Sequence, residues 1–197
     1  MEGKTRIGEV VESSVTQFTA HCYELYETPP LGSLVTARAA CGDIGGIVAA
    51  VATQSLEPGR RPIARGRDES SEEAVYRQNP QLLKLFRTDF TVLVCGYRAP
   101  EAWHCYLPPQ PARIHSFVYT ATAEEARAAS ESLDFLSLFL QDAALPVSHE
   151  LAAASLRQMS LAYPDPRAFL VRAGKRLATL LNNDVNGLNA ILRRIKT

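Results

Sequence analysis

Hydrophobic and polar residues alternate in short runs through the first 120 residues of the chain, and then recur with a helical period. Alternation of this kind is typical of strands that bury one face. Glycine- and proline-rich turn signals separate the runs, and the Gly45–Gly46 pair predicts a bulge or sharp bend. Such a series predicts a small barrel or sandwich. The predicted strands cover residues 6–12, 17–25, 34–37, 42–55, 89–98, 103–107 and 112–119.

One helix, at about residues 71–88, interrupts the β pattern. We expect Ser70 to cap it and Glu73 to complete a capping box, while the acidic first turn suits the helix dipole. Asn79–Pro80 then disturbs the helix, because proline disfavours the α conformation in the residue before it.

The helical period begins at Thr122, which forms a second capping box with Glu125. About four helices follow, the first of them carrying apolar residues at helical spacing as far as Leu140. The predicted fold class is therefore α+β. Residues 1–121 form a small β-barrel with one inserted helix, and residues 122–197 form a helical domain.

Charge and hydropathy exclude several classes of protein. The 197 residues include 21 basic and 21 acidic ones, so the formal net charge is zero. A general nucleic-acid or membrane-surface binder needs a clear basic excess. No run of 18 apolar residues exists that could form a transmembrane helix, and the first residues do not resemble a signal peptide. We expect a cytoplasmic protein that does not engage a membrane.

Catalytic and metal-binding signatures are missing from the sequence. Four cysteines form no CxxC pair, and we interpret them as reduced; Cys22, Cys95 and Cys105 lie in apolar strand-like runs. A metal or acid–base site from His104, His115 and Cys105 is an alternative to ordinary hydrogen-bonded histidines. No serine nucleophile motif is present. We expect no enzymatic activity, no cofactor and no metal.

The most distinctive segment is residues 56–73, LEPGRRPIARGRDESSEE. Its four arginines are candidates for contacting phosphates or an acidic protein surface, because guanidinium groups suit both. Four acidic residues follow at once. The alternative is a solvated loop whose arginines pair with these neighbours, in exposed ion pairs worth only ~0–1 kcal/mol each. The arginines are Arg60, Arg61, Arg65 and Arg67, and the acids are Asp68, Glu69, Glu72 and Glu73.

Residues 5–122 resemble the HAS-barrel, the small β-barrel shared by HerA-type DNA-translocating ATPases and ATP synthase subunits. The features that carry the resemblance are RIGEVVESSVTQFTAHCYEL, PPLGSLV, GGIVAAVATQSLEPGRRP and YLPPQPARIHSFVYTATAEE. In that family the barrel packs subunits together and docks partners such as a nuclease. The resemblance therefore implies a role in assembly.

The chain departs from HerA-type ATPases because it has no GxxxxGK[ST] loop to hold nucleotide phosphates. Its nearest strings are Gly3–Lys4–Thr5 and Gly174–Lys175–Arg176, and neither has the glycine and hydroxyl pattern. We therefore expect a non-catalytic binding or assembly module, acting with a HerA-like ATPase or a nuclease, and capable of forming oligomers. The alternative is direct nucleic-acid binding through the Arg60–Arg67 loop.

Overall fold

The computed structural model describes residues 4–57, 59, 61–99, 102–140 and 148–196. Within these residues the chain forms strands first and helices afterwards. The strands are β1 (Arg6–Ser13), β2 (Gln17–Cys22), β3 (Leu34–Ala39), β4 (Gly42–Ser55), β5 (Phe86–Ala99), β6 (Ala102–His104) and β7 (Phe117–Thr120). The helices are α1 (Glu72–Gln78), a 3-10 helix (Pro80–Lys84), α2 (Ala123–Ala129), α3 (Phe135–Leu140), α4 (Ser148–Ser160), α5 (Pro166–Leu180) and α6 (Val185–Ile195).

Six of the strands form an antiparallel β-barrel, which confirms the predicted α+β class. The strand order is β2–β1–β7–β3–β4–β5, and pairing between β2 and β5 closes the circle. The short β6 lies outside the barrel and pairs with β5 alone. Closure removes the free edges that an open sheet would expose.

The last barrel strand is shorter than the predicted run 112–119. β7 begins at Phe117 because the preceding residues form a turn, in which the Ser116 amide donates to the Arg113 carbonyl over 3.0 Å. His115 has a left-handed backbone there, with φ of 68°. Such a conformation is incompatible with a continuous strand.

The β4–β5 hairpin is the longest element of the sheet. Each strand has 14 residues, and the two pair from Asp43 opposite Arg98 to Ser55 opposite Phe86. The register shifts between Gly45 and Gly46, which confirms the predicted bulge. The segment that connects β4 to β5 therefore starts and ends on a long, paired ladder.

Two hydrophobic clusters occupy the two faces of the sheet. The first fills the barrel interior, with Phe18, Val48, Phe90 and Val118 among its members. The second lies between the outer face and the helices. It joins Leu34, Ile47 and Cys95 of the strands to residues of α2 to α6. Burial of this second cluster holds the helical region against one side of the barrel.

Five helices follow the barrel within the described residues, where we predicted about four. The predicted first helix is divided into α2 and α3. α2 ends where the Ser130 hydroxyl donates to the Ala126 carbonyl over 2.6 Å, and Leu133 then adopts a left-handed conformation with φ of 59°. Leu133 is buried, so its helical spacing in the sequence reflected core packing rather than a continuous helix.

Of the two predicted helix caps, one forms as predicted and the other forms one residue later. Thr122 and Glu125 form the predicted reciprocal capping box at the start of α2. α1 is capped by Ser71 instead of Ser70, since the Ser71 hydroxyl accepts from the Ala74 amide. The predicted helix at 71–88 is correspondingly shorter, and its second part is the 3-10 helix.

Strand gives way to helix between Thr120 and Ala123, at the predicted position. Separation into two domains at residue 121 stays a prediction, because the second hydrophobic cluster spans both parts. No helix of the described ranges has the length and apolar character needed to cross a bilayer.

We predict that Gly46→Ala destabilises the barrel by about 1–3 kcal/mol, the usual cost of overpacking. A β-carbon at Gly46 would lie 2.6 Å from the Leu93 carbonyl oxygen in the neighbouring strand. Chemical denaturation followed by circular dichroism measures the change in the free energy of unfolding.

Gly174→Ala is the matched control for that substitution. Its β-carbon would make an ordinary contact with Leu192 at 3.4 Å, and alanine is the better helix former. We expect unchanged or slightly increased stability. Equal effects of the two substitutions would contradict the close packing at the bulge.

Candidate partner-binding groove

The arginine segment belongs to a 30-residue insertion at the end of the β4–β5 hairpin, residues 56–85. The insertion starts and finishes on paired backbone, because the Leu56 amide donates to the Leu85 carbonyl over 2.9 Å directly beyond the Ser55–Phe86 pair. α1 and the 3-10 helix fold back over this base. The hairpin thus fixes both ends of the insertion.

A groove of about 340 Å³ lies between the arginine segment, α1 and the hairpin end. Its floor is apolar and is formed by Val75, Leu82, Leu85 and Phe86. The side chain of Ile63 also borders the groove, and at 80% exposure it is the most exposed large hydrophobic residue in the described part of the chain. An apolar floor next to an exposed aliphatic side chain is typical of a contact surface.

Arg61 and Arg65 line this groove. Arg67 follows them in the sequence and is exposed, and Arg60 lies outside the described residues. None of Arg61, Arg65 and Arg67 makes an ion pair with any described residue. The alternative in which these arginines pair with the following acids is therefore not seen in the described part of the chain.

The acidic residues after the arginines have local roles. Glu72 lines the groove, and Glu69 accepts a hydrogen bond from the Gln78 amide over 2.7 Å. Hydrogen bonds from its own backbone and from Ser71 lower the pKa of Glu73. Glu57 also borders the groove, so its mouth carries both signs of charge.

A tyrosine pair links the groove to the barrel. The hydroxyl groups of Tyr76, on α1, and Tyr26, before β3, lie 2.8 Å apart. Tyr26 has a left-handed backbone, and its amide donates to the Thr88 hydroxyl over 3.0 Å. The hydrogen bond with Tyr76, together with partial burial, raises the pKa of Tyr26 to about 12. The contact between the two hydroxyl groups ties α1 to the barrel.

A polar cluster on the outer barrel face was missed by the sequence analysis. Asp89 is only 9% exposed, and its carboxylate has partners on three strands. The carboxylate lies 2.8 Å from His21 Nδ1, 2.9 Å from Arg87 Nε and 3.3 Å from Gln54 Nε2. His21 and Asp89 face each other only because β2 closes onto β5. These contacts join three strands at this point of the barrel wall.

The cysteines are free, and two of them are buried as expected. Burial raises the pKa of the Cys22 thiol to about 11. Burial also raises the pKa of the Cys95 thiol. Cys105 is half-buried and follows β6, so the strand predicted at 103–107 was too long.

The alternative site from His104, His115 and Cys105 does not form. His104 contacts Tyr106 and His115 contacts Glu9, and no three His, Cys, Asp or Glu residues in the described ranges group closely enough to hold a metal ion.

Comparison with models of known protein families finds no match for this chain, and comparison with curated proteins finds none either.

We predict that Asp89→Asn lowers the free energy of unfolding by about 1–3 kcal/mol, because three donors lose a buried carboxylate acceptor. Asp68→Asn is the control. Asp68 is exposed and has no described partner, so its effect should stay within about 0.5 kcal/mol. Denaturant titrations measure the free energy of unfolding of both variants. A loss at Asp89 no larger than the loss at Asp68 would show that the cluster contributes no stability.

Proposed function

We propose that this protein is a non-catalytic binding or assembly module whose groove, with Arg61 and Arg65 at its edge, docks an acidic protein surface. One observation carries the proposal. Guanidinium groups without ion-pair partners in the described residues stand beside an apolar floor. Protein contact surfaces combine these two features, because apolar burial supplies affinity and arginine supplies directional hydrogen bonds.

The setting of the groove supports a docking role. Binding residues concentrate on loops held by a rigid scaffold, and this insertion is anchored by the β4–β5 hairpin and the Tyr26–Tyr76 contact. A preformed site loses less conformational entropy when its partner binds. Leu82 and Phe86 are at least half-buried already, so the floor exists before any partner arrives.

The class of partner comes from the sequence resemblance. We take the barrel to be a HAS-barrel, and its partner to be a HerA-like translocating ATPase or a nuclease. The strand segments quoted above support this finer identification, together with the antiparallel barrel that the chain forms.

Nucleic acid suits the groove less well than an acidic protein does. Phosphate binding draws its affinity from excess positive charge, and this chain has none overall. An apolar floor gives a phosphate backbone nothing to contact.

We expect the tagged protein, purified from the cells that produce it, to retain a translocase or nuclease subunit identified by mass spectrometry. Arg61→Glu combined with Arg65→Glu should reduce recovery by about tenfold or more, because two attractive contacts become repulsive.

Arg113→Glu combined with Arg167→Glu is the matched control, since it alters net charge equally at two exposed arginines outside the groove. Equal recovery with the groove variant and the wild type would contradict the proposal. So would tight, steeply salt-dependent binding of a fluorescent oligonucleotide that the groove variant loses, because that result would assign the groove to nucleic acid.

A further inference from the structure

The charges of residues 61–72 are ordered by sign along the chain. Arg61, Arg65 and Arg67 are exposed in the first part of the segment, and Asp68 and Glu72 are exposed directly after them. These five side chains make no ion pairs within the described residues. Along this segment a positive stretch is therefore followed by a negative one.

A segment with a positive stretch beside a negative one is complementary in charge to the same segment of a second copy. In a two-fold contact, residue i of one copy touches residue j of the other, and j touches i. A two-fold axis between the positive and negative stretches places the arginines of each copy over the acids of the other. Arg61 and Arg65 of each copy would then gain acidic partners without any other protein.

Two further features favour self-association. The zero net charge of the chain removes the long-range repulsion that keeps many proteins monomeric. Ile63 projects into solvent at the edge of the groove, where a second copy would remove it from water.

We infer that a second copy of this chain occupies the groove, in a two-fold dimer that pairs Arg61 and Arg65 of each copy with Asp68 and Glu72 of the other. The inference rests on the proposed function, because it names the acidic surface that the groove receives. The dimer is held by exposed charges, so it weakens as salt is added.

Analytical ultracentrifugation of charge-exchanged variants tests the inference. We expect the wild type to dimerise with rising concentration. Arg61→Glu with Arg65→Glu, and separately Asp68→Arg with Glu72→Arg, should each weaken dimerisation by about tenfold or more. An equimolar mixture of the two variants should dimerise again, because every pair is then opposite in sign. The Arg113→Glu, Arg167→Glu variant should dimerise as the wild type does.

Because the two variants carry opposite net charges, circular dichroism of each variant alone is used to check that it is folded. If either variant fails to fold, the salt dependence of the wild-type dimer remains as the test. A wild type that stays monomeric, a dimer insensitive to salt, or folded variants that do not associate when mixed would overturn the inference. The proposed function would survive any of these results if recovery of a translocase or nuclease still depended on Arg61 and Arg65.

Discussion

Pairing between β4 and β5 is the constraint on which the rest of the structure depends. Across 14 residues on each strand, this ladder contributes to the barrel wall, supports β6 and carries the insertion that forms the groove. The bulge at Gly45–Gly46 bends the ladder where the barrel requires it. Without this hairpin, the arginine segment would have no fixed base and the groove no floor.

The barrel presents different surfaces on different sides. Its outer face near Leu34, Ile47 and Cys95 is covered by the helices. The outer face near His21 and Asp89 is open, and its charged side chains pair with one another. The groove differs from both, because Arg61 and Arg65 have no ion-pair partner within the described residues. Unpaired charge beside exposed apolar surface is the property that makes the groove the candidate for binding.

Local sequence patterns predicted the features that depend on local physics. Alternation located the strands, the glycine pair located the bulge, and Thr122 with Glu125 located a helix start. The arginine segment stood out by charge alone. Each of these signals is contained within a few neighbouring residues, so no knowledge of the folded chain was needed.

Features that depend on distant pairing could not be predicted in this way. His21 and Asp89 are 68 residues apart and meet only through closure of β2 on β5. The groove floor was equally hidden, because Leu82, Leu83 and Leu85 occur in one apolar run although Leu82 is buried and Leu83 exposed. The left-handed Leu133 divided a helix whose spacing looked continuous.

Hydrogen–deuterium exchange, compared between dilute and concentrated wild-type protein, tests the central claim in its most direct form, that the groove is the contact surface between two copies of this chain. We predict slower exchange on concentration in residues 61–78, which cover the arginine segment and α1, with unchanged exchange in α5 and α6. Slower exchange confined to α5 and α6, with residues 61–78 unaffected, would contradict it.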